Sequence, residues 1–247
     1  SNAMSFVTKV LWGLSWACAL PSLSAQTIQA VTEDAPPYTY VQHGRVVGPV
    51  TEVVEQSLQR AGFKDYRVNL YPWARAYDLA LKQPHALIFL IARTPAREAL
   101  FHWTGEIMKI EYHLYRWRGR AVEVPHLDAA RAYRIGVMRD DVRQQYLQSK
   151  GFTKLVVSAQ PLDNFRKLVN GQVDLVPLTA GEVQPLCEEA AVDCSQLERV
   201  FTLQEASTGL YMAYSLSTPS EVVERTRQAF EQLKADGTVK RLLDKIP

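Results

Sequence analysis

The sequence is poor in the residues that most often carry catalysis or metal binding. It holds three cysteines and five histidines in 247 residues. His43, His85, His102, His113 and His126 stand ten or more residues apart and show no metal-ligand spacing. There is no G-x-S-x-G elbow, no H-E-x-x-H pair, no P-loop and no G-x-G-x-x-G run after a strand. The expectation is a chain with no metal, no cofactor and no catalytic group. An excess of charge of one sign is also missing, with 28 Lys and Arg against 26 Asp and Glu, scattered among one another. A nucleic-acid reader concentrates cations in a patch, so no nucleic-acid partner is expected.

A long hydrophobic run is absent too. The apolar stretch Val10 to Leu20 has eleven residues, short of the roughly 20 that cross a bilayer. Lys9 precedes it, and Pro21 and the small residues to Ala25 follow, which is the order of a secretory leader. Ser1 to Ala3 read as an expression scar ahead of Met4, residues 4–25 as a signal peptide cleaved near Ala25, and the mature protein as periplasmic. A retained anchor or a lipoprotein acylated at Cys18 fits the pattern less well. Cys187 and Cys194 then remain, seven residues apart. In an oxidising compartment that spacing permits a disulfide pinning the intervening loop.

From Gln26 onward, strand-like and helix-like segments alternate, the pattern of a mainly parallel sheet covered by helices. A strand at Thr27–Val31, a helix carrying Val50, Val53, Val54 and Leu58, a strand at Tyr66–Tyr71, a helix at Ala74–Leu81 and a buried strand at Ala86–Ile91 form a first βαβαβ unit. An aromatic β-type run, Glu106–Trp117, follows. A second unit restarts with strand Arg134–Met138, helix Asp141–Lys150, strand Lys154–Val157, helix Leu162–Val169 and strand Val173–Pro177. After a strand at Gly209–Ala213, Thr218, Pro219 and Glu221 read as a cap, first helical position and capping-box acid of a terminal helical pair.

The stretch LIARTPAREALFHWTG carries the clearest functional signal. Strand Ala86–Ile91 runs into Ala92 and Arg93, Thr94 can cap a helix, and Arg97 falls in its first turn. An arginine at a helix N-terminus makes a site for a carboxylate. Pairing of Arg97 with Glu98 or Glu106 is the equal alternative. Arg75, Arg93 and Arg139 add positive charge near the same place, while Trp73 and Trp103 either line a cleft or anchor a core. Asp174 and Asn164 read as structural.

This T-P-x-R segment resembles the extracellular solute-binding proteins of family 3, the polar amino-acid receptors of ABC importers. TEDAPPYTY, YPWARAYDLAL, YRIGVMRDD and NFRKLVNGQVDLV follow in the family's order. The resemblance implies an α/β, two-lobed periplasmic binding protein fold, each lobe a mostly parallel sheet with flanking helices, joined by crossing strands. Its expected boundaries are 26–114 with 209–247 for one lobe and 115–208 for the other. It further implies a monomeric receptor for a carboxylate-bearing solute, partnered by a permease or a membrane receptor. Arg97 matches the carboxylate clamp, and Tyr38 or Tyr40 the aromatic lid. Ala92 stands where the family has a hydroxyl or backbone contact. Thr179 replaces the acid that holds an α-ammonium, which leaves Glu33, Asp140 or Asp141 to supply that charge. The same family includes a cyclohexadienyl dehydratase, so an exported enzyme using Glu33 or Asp140 is the alternative, as is a transporter-independent sensor.

Overall fold

The computed structural model describes residues 26–247. The scar, the signal peptide and Cys18 lie outside the described residues. Among the described residues no helix is long and apolar enough to cross a membrane.

β1 (Ile28–Thr32) is followed by a loop containing the cis Pro36–Pro37 peptide and a hairpin of β2 (Tyr40–Gln42) and β3 (Arg45–Val47). α1 (Pro49–Arg60), β4 (Tyr66–Leu70), α2 (Trp73–Lys82) and β5 (Ala86–Ala92) complete the first unit. β1 pairs in parallel with both β4 and β5. β5 is apolar throughout because helices cover both of its faces. On one face α1 buries Val50, Val53, Val54 and Leu58, sharing a core with Phe89 and Met212. On the other, Trp73, Ala76, Tyr77 and Ala80 of α2 pack with Ile88, Ile91, Phe101 and Trp103.

β6 (Phe101–Trp117) and β10 (Leu197–Ser215) are far longer than the sequence suggests. They pair antiparallel from Phe101↔Ser215 to Trp117↔Leu197 and run through both lobes. Residues 197–208 escape sequence reading because LERVFTLQEAST is only half-buried and lacks steady alternation. The pairing also skips Gln204 to Ser207, between Leu203↔Tyr112 and Thr208↔Ile110. The six-stranded sheet has the order β4-β1-β5-β10-β6-β9, where β9 is Val176–Leu178.

Between the long strands lie β7 (Ile135–Met138), α3 (Val142–Ser149), β8 (Leu155–Ser158), α4 (Pro161–Val169), β9 and α5 (Ala180–Ala190). β7 and β8 are parallel, and Leu175 bridges to Ile135 alongside. Their core gathers Leu114, Ile135, Val137, Leu147 and Leu175. A further cluster forms around Phe165, Val176 and Cys187. Asp174 accepts from Arg134, and Asn164 is buried inside α4 rather than at its start.

α6 (Ser220–Ala235) and α7 (Thr238–Leu243) return to the first core through Val223, Phe230, Leu233, Val239 and Leu242. The cap expected from Thr218 is not made: Pro219 holds the N-cap position, and the Thr218 hydroxyl instead pairs with Ser215 and accepts from the His85 amide. Among the described residues, a capping box is formed instead by Thr179 and Glu182, opening α5. Cys187 lies in the last turn of that helix rather than in a loop, and it is bonded to Cys194, with Cα atoms 5.5 Å apart.

Candidate functional site

The carboxyl ends of parallel strands, together with their following loops, form the place where open α/β sheets collect ligands. Here β1 and β5 end side by side, delivering Glu33 and the 92–97 segment to one cavity between the lobes. Leu90 has φ +58° and drops out of register with β10, a bulge that bends β5 as it reaches the cavity. The cavity measures about 40 Å3 and is lined from one lobe by Glu33, Tyr38, Trp73, Ala92 and Arg97, and from the other by Asp141, Arg143, Thr179 and Glu182. That is room for about three waters.

Arg97 is 1% exposed. Its Nη1 donates to the Ala92 carbonyl at 3.1 Å and its Nη2 to the Asp140 carbonyl at 2.9 Å. Its Nε is buried without a partner. The Tyr77 and Trp73 rings lie 5.1 and 6.0 Å from its Cζ. These contacts displace the ion-pair expectation, because Arg97 pairs with neither Glu98 nor Glu106. The helix expected to start at Thr94 is absent. A turn from Thr94 to Arg97 leads into a three-residue 3-10 helix at Glu98–Leu100, since Phe101 already pairs with Ser215 in the sheet. The Thr94 hydroxyl is buried without a partner and caps nothing. Any attraction for an anion therefore comes from the guanidinium itself.

Glu33 faces Arg97's cavity from the end of β1, and its Oε2 is likewise buried without a partner. Burial, reinforced by the negative charge of Asp141, pushes its carboxyl up to about 8.

On the opposite wall, Asp141 caps α3 by accepting from the Arg143 amide at 2.8 Å. It also holds the Arg143 guanidinium with both oxygens, at 2.7 and 2.9 Å. Burial by itself raises the Asp141 carboxyl, yet the charge and hydrogen bonds of Arg143 prevail and hold it below the usual range. Arg143 also reaches Glu182 at 3.2 Å and lies over the Tyr112 ring, 4.9 Å from its centre. Burial pushes the Tyr112 hydroxyl well up and the Tyr38 hydroxyl up to about 12.

Three hydrogen bonds join the lobes across this cavity. Tyr38 meets the Thr179 hydroxyl at 3.1 Å, and Trp73 Nε1 and Arg97 Nη2 both donate to the Asp140 carbonyl, at 3.1 and 2.9 Å. Asp140 takes φ +60°, a left-handed conformation that aspartate tolerates.

Of the residues singled out in the sequence, Glu33, Tyr38, Trp73, Ala92, Arg97, Asp141 and Thr179 line the cavity. Four do not. Tyr40 begins the β2–β3 hairpin, and Arg139 is exposed. Asp140 contributes its backbone carbonyl while its exposed side chain points elsewhere. Arg93 is held by Glu98 and packs near the Trp103 and Tyr211 rings. Arg75 is exposed over Tyr71, and Trp103 is a core residue. Sequence reading passed over Arg143, Glu182 and Tyr112. Only Glu182 had left a signal, the T-A-G-E spacing of the capping box.

This architecture is the two-lobed periplasmic binding protein fold. A histidine kinase sensor domain with similarity to periplasmic binding proteins aligns with a TM-score of 0.80 and 18% identity, over 90% of this chain and 96% of that one. An ancestral arginine-binding protein bound to arginine aligns at 0.77 and 16%, over 89% and 97%. A periplasmic His/Glu/Gln/Arg/opine family-binding protein from Silicibacter pomeroyi, in complex with lysine, aligns at 0.73 and 20%, over 89% and 96%. No protein-family model and no curated protein sequence matches the chain.

Proposed function

We propose that the chain is an exported receptor that captures a small, polar, carboxylate-bearing solute between its lobes and releases it unchanged. One observation carries this reading. A buried arginine and a half-buried glutamate end in the same interlobe cavity, each with one buried polar atom, Arg97 Nε and Glu33 Oε2, left without a partner. Burying such atoms unpaired costs about 1–3 kcal/mol each, a cost that a ligand supplying both partners recovers. The ligand's carboxylate accepts from Arg97, and its cationic or hydrogen-bond-donating group meets Glu33.

The lobes in this reading are residues 26–114 with 209–247, and 115–208. Tyr38 and Trp73 close over the solute from one side as the segment around Asp140 and Thr179 meets them from the other, excluding water. The protein acts as a periplasmic monomer. A permease takes the solute from the closed form, a reading supported by the likeness to a substrate-binding protein of an amino acid ABC transporter, with a TM-score of 0.76. The likeness to the kinase sensor domain favours a second reading, in which the closed form reports the solute to a membrane receptor. In either case the cavity's role is capture.

The deciding experiment is thermal denaturation against a panel of amino acids and other small acids, repeated with Arg97→Ala. A solute at a hundredfold excess over its dissociation constant stabilises by about 2.7 kcal/mol, or roughly 5–10 °C for a chain of this size. The expected hit disappears in Arg97→Ala and is recovered chemically unchanged. A hit indifferent to Arg97, or one converted to product, overturns the proposal.

A further inference from the structure

Arg143 reaches the cavity from α3 and is committed on every side. Its Nε and Nη2 hold the two oxygens of Asp141 at 2.7 and 2.9 Å. Its Nη1 meets Glu182 Oε2 and the Pro177 carbonyl, both at 3.2 Å. The same Glu182 oxygen accepts from the Thr179 amide at 2.7 Å. The Arg143 side chain is 7% exposed. Three acids, Glu33, Asp141 and Glu182, therefore line one cavity, and one guanidinium holds two of them. Glu33 alone keeps a buried oxygen without a partner. Arg143 takes three of the acceptor positions of Asp141, through its amide, Nε and Nη2, so a second cation there competes with Arg143 for the same oxygens.

We infer that Arg143 is a specificity-determining residue: its guanidinium occupies the place that a second cationic group of a solute would take. The inference rests on the reading of the cavity as a solute site. The fork of Arg143 lies on Asp141 in the planar, two-point geometry that guanidinium provides and ammonium does not. The acids are thus closed to a solute as long as Arg143 is present. The solute that fits carries one cationic centre, directed at Glu33, and its carboxylate lies at Arg97. Truncation of Arg143 leaves two unpaired acids around a space shaped for guanidinium. The site then favours solutes that bring a guanidinium of their own.

Ethylguanidinium reproduces the part of Arg143 beyond Cβ, so Arg143→Ala is titrated with it by calorimetry and thermal denaturation, with ethylammonium as the control. The expected result is saturable binding at least tenfold tighter than to the wild type, with ethylammonium weaker. In parallel, the preference for arginine over alanine rises at least tenfold in Arg143→Ala. Equal ethylguanidinium affinity in folded variant and wild type overturns the inference, as does an unchanged solute preference. Should Arg143→Ala fail to fold, the double variant Asp141→Asn with Arg143→Ala, which leaves Glu182 as the one acid of the pair that Arg143 held, takes the same titration under the same criteria. A wild type that binds no carboxylate solute, alongside a variant that takes ethylguanidinium, counts against the proposed function alone. A wild type that binds a solute, alongside a variant indifferent to ethylguanidinium, counts against the role of Arg143 alone.

Discussion

The hydroxyls of Tyr38 and Thr179 meet at 3.1 Å although 141 residues separate them. The contact depends on Gly181, because any side chain there would overlap the Tyr38 hydroxyl. Tyr38 and its partner thus bring the first turn of α5 against the loop after β1, closing one edge of the cavity. A hydrogen bond of this kind contributes about 1 kcal/mol. Tyr38→Phe is expected to lower Tm by about 2–4 °C. Gly181→Ala is expected to lower it further and to expand the molecule in small-angle scattering. Equal scattering profiles for Gly181→Ala and the wild type would contradict a closing role for the Tyr38–Thr179 contact.

Glu33 and Asp141 shift in opposite directions, so they act on opposite sides of the pH profile. Glu33 is raised to about 8 from an ordinary value of 4.5. Its contribution is fully present below 4.5 and is lost as pH rises from there through about 8, because the unfolded chain ionises first. Asp141 is lowered, so its contribution is present above its unfolded value and lost as pH falls through the folded one. Glu33→Gln should therefore raise Tm relative to the wild type at pH 8.5 and leave little difference at pH 4. The measurement is a Tm series over that range, and a constant offset between the two proteins would sink the assignment.

Asp141→Asn removes the acid that caps α3 and holds Nε and Nη2 of Arg143. Breaking one side of a buried ion pair costs about 3–5 kcal/mol. Urea denaturation should show a loss of that order. Asp174→Asn, at a partly exposed pair with Arg134, should cost about 1 kcal/mol. Comparable losses in the two variants would mean that Arg143 is solvated in solution.

The Cys187–Cys194 bridge closes a short loop at the end of α5. In the chain-entropy account, a loop of this size stabilises by about 2.5 kcal/mol. Reduction should lower Tm by roughly 5–10 °C. The double variant Cys187→Ser with Cys194→Ser should melt at the reduced protein's temperature and ignore reductant. A double variant as stable as the oxidised protein would rule out the bridge in solution.

Much of the fold was legible in local pattern. The apolar run of β5, the buried stripe of α1 and the βαβ alternation each follow from a period that a short window of sequence contains. Capping was read correctly in kind and wrongly in place. Thr218 and Glu221 have the spacing, but Ser215 and the His85 amide engage the Thr218 hydroxyl, and the real box opens α5 at Thr179. The helix after Thr94 failed for a similar reason, since pairing of Phe101 with Ser215 leaves too few residues to form it.

The sequence by itself determined the two-unit α/β order, the position of Arg97 after a buried strand, and the pair of cysteines able to bridge. Tertiary structure alone decided what Arg97 touches. Its partners are the backbone carbonyls of Ala92 and Asp140, and a carbonyl carries no mark in residue identity. It also decided which of many scattered arginines is buried: Arg93 finds Glu98 five residues away, while Arg143 meets Glu182 only because α3 and α5 converge on the cavity. Periodicity records which face of an element avoids water. Which charges meet inside is set by how the elements pack, because a buried ion finds its partner through space rather than along the chain.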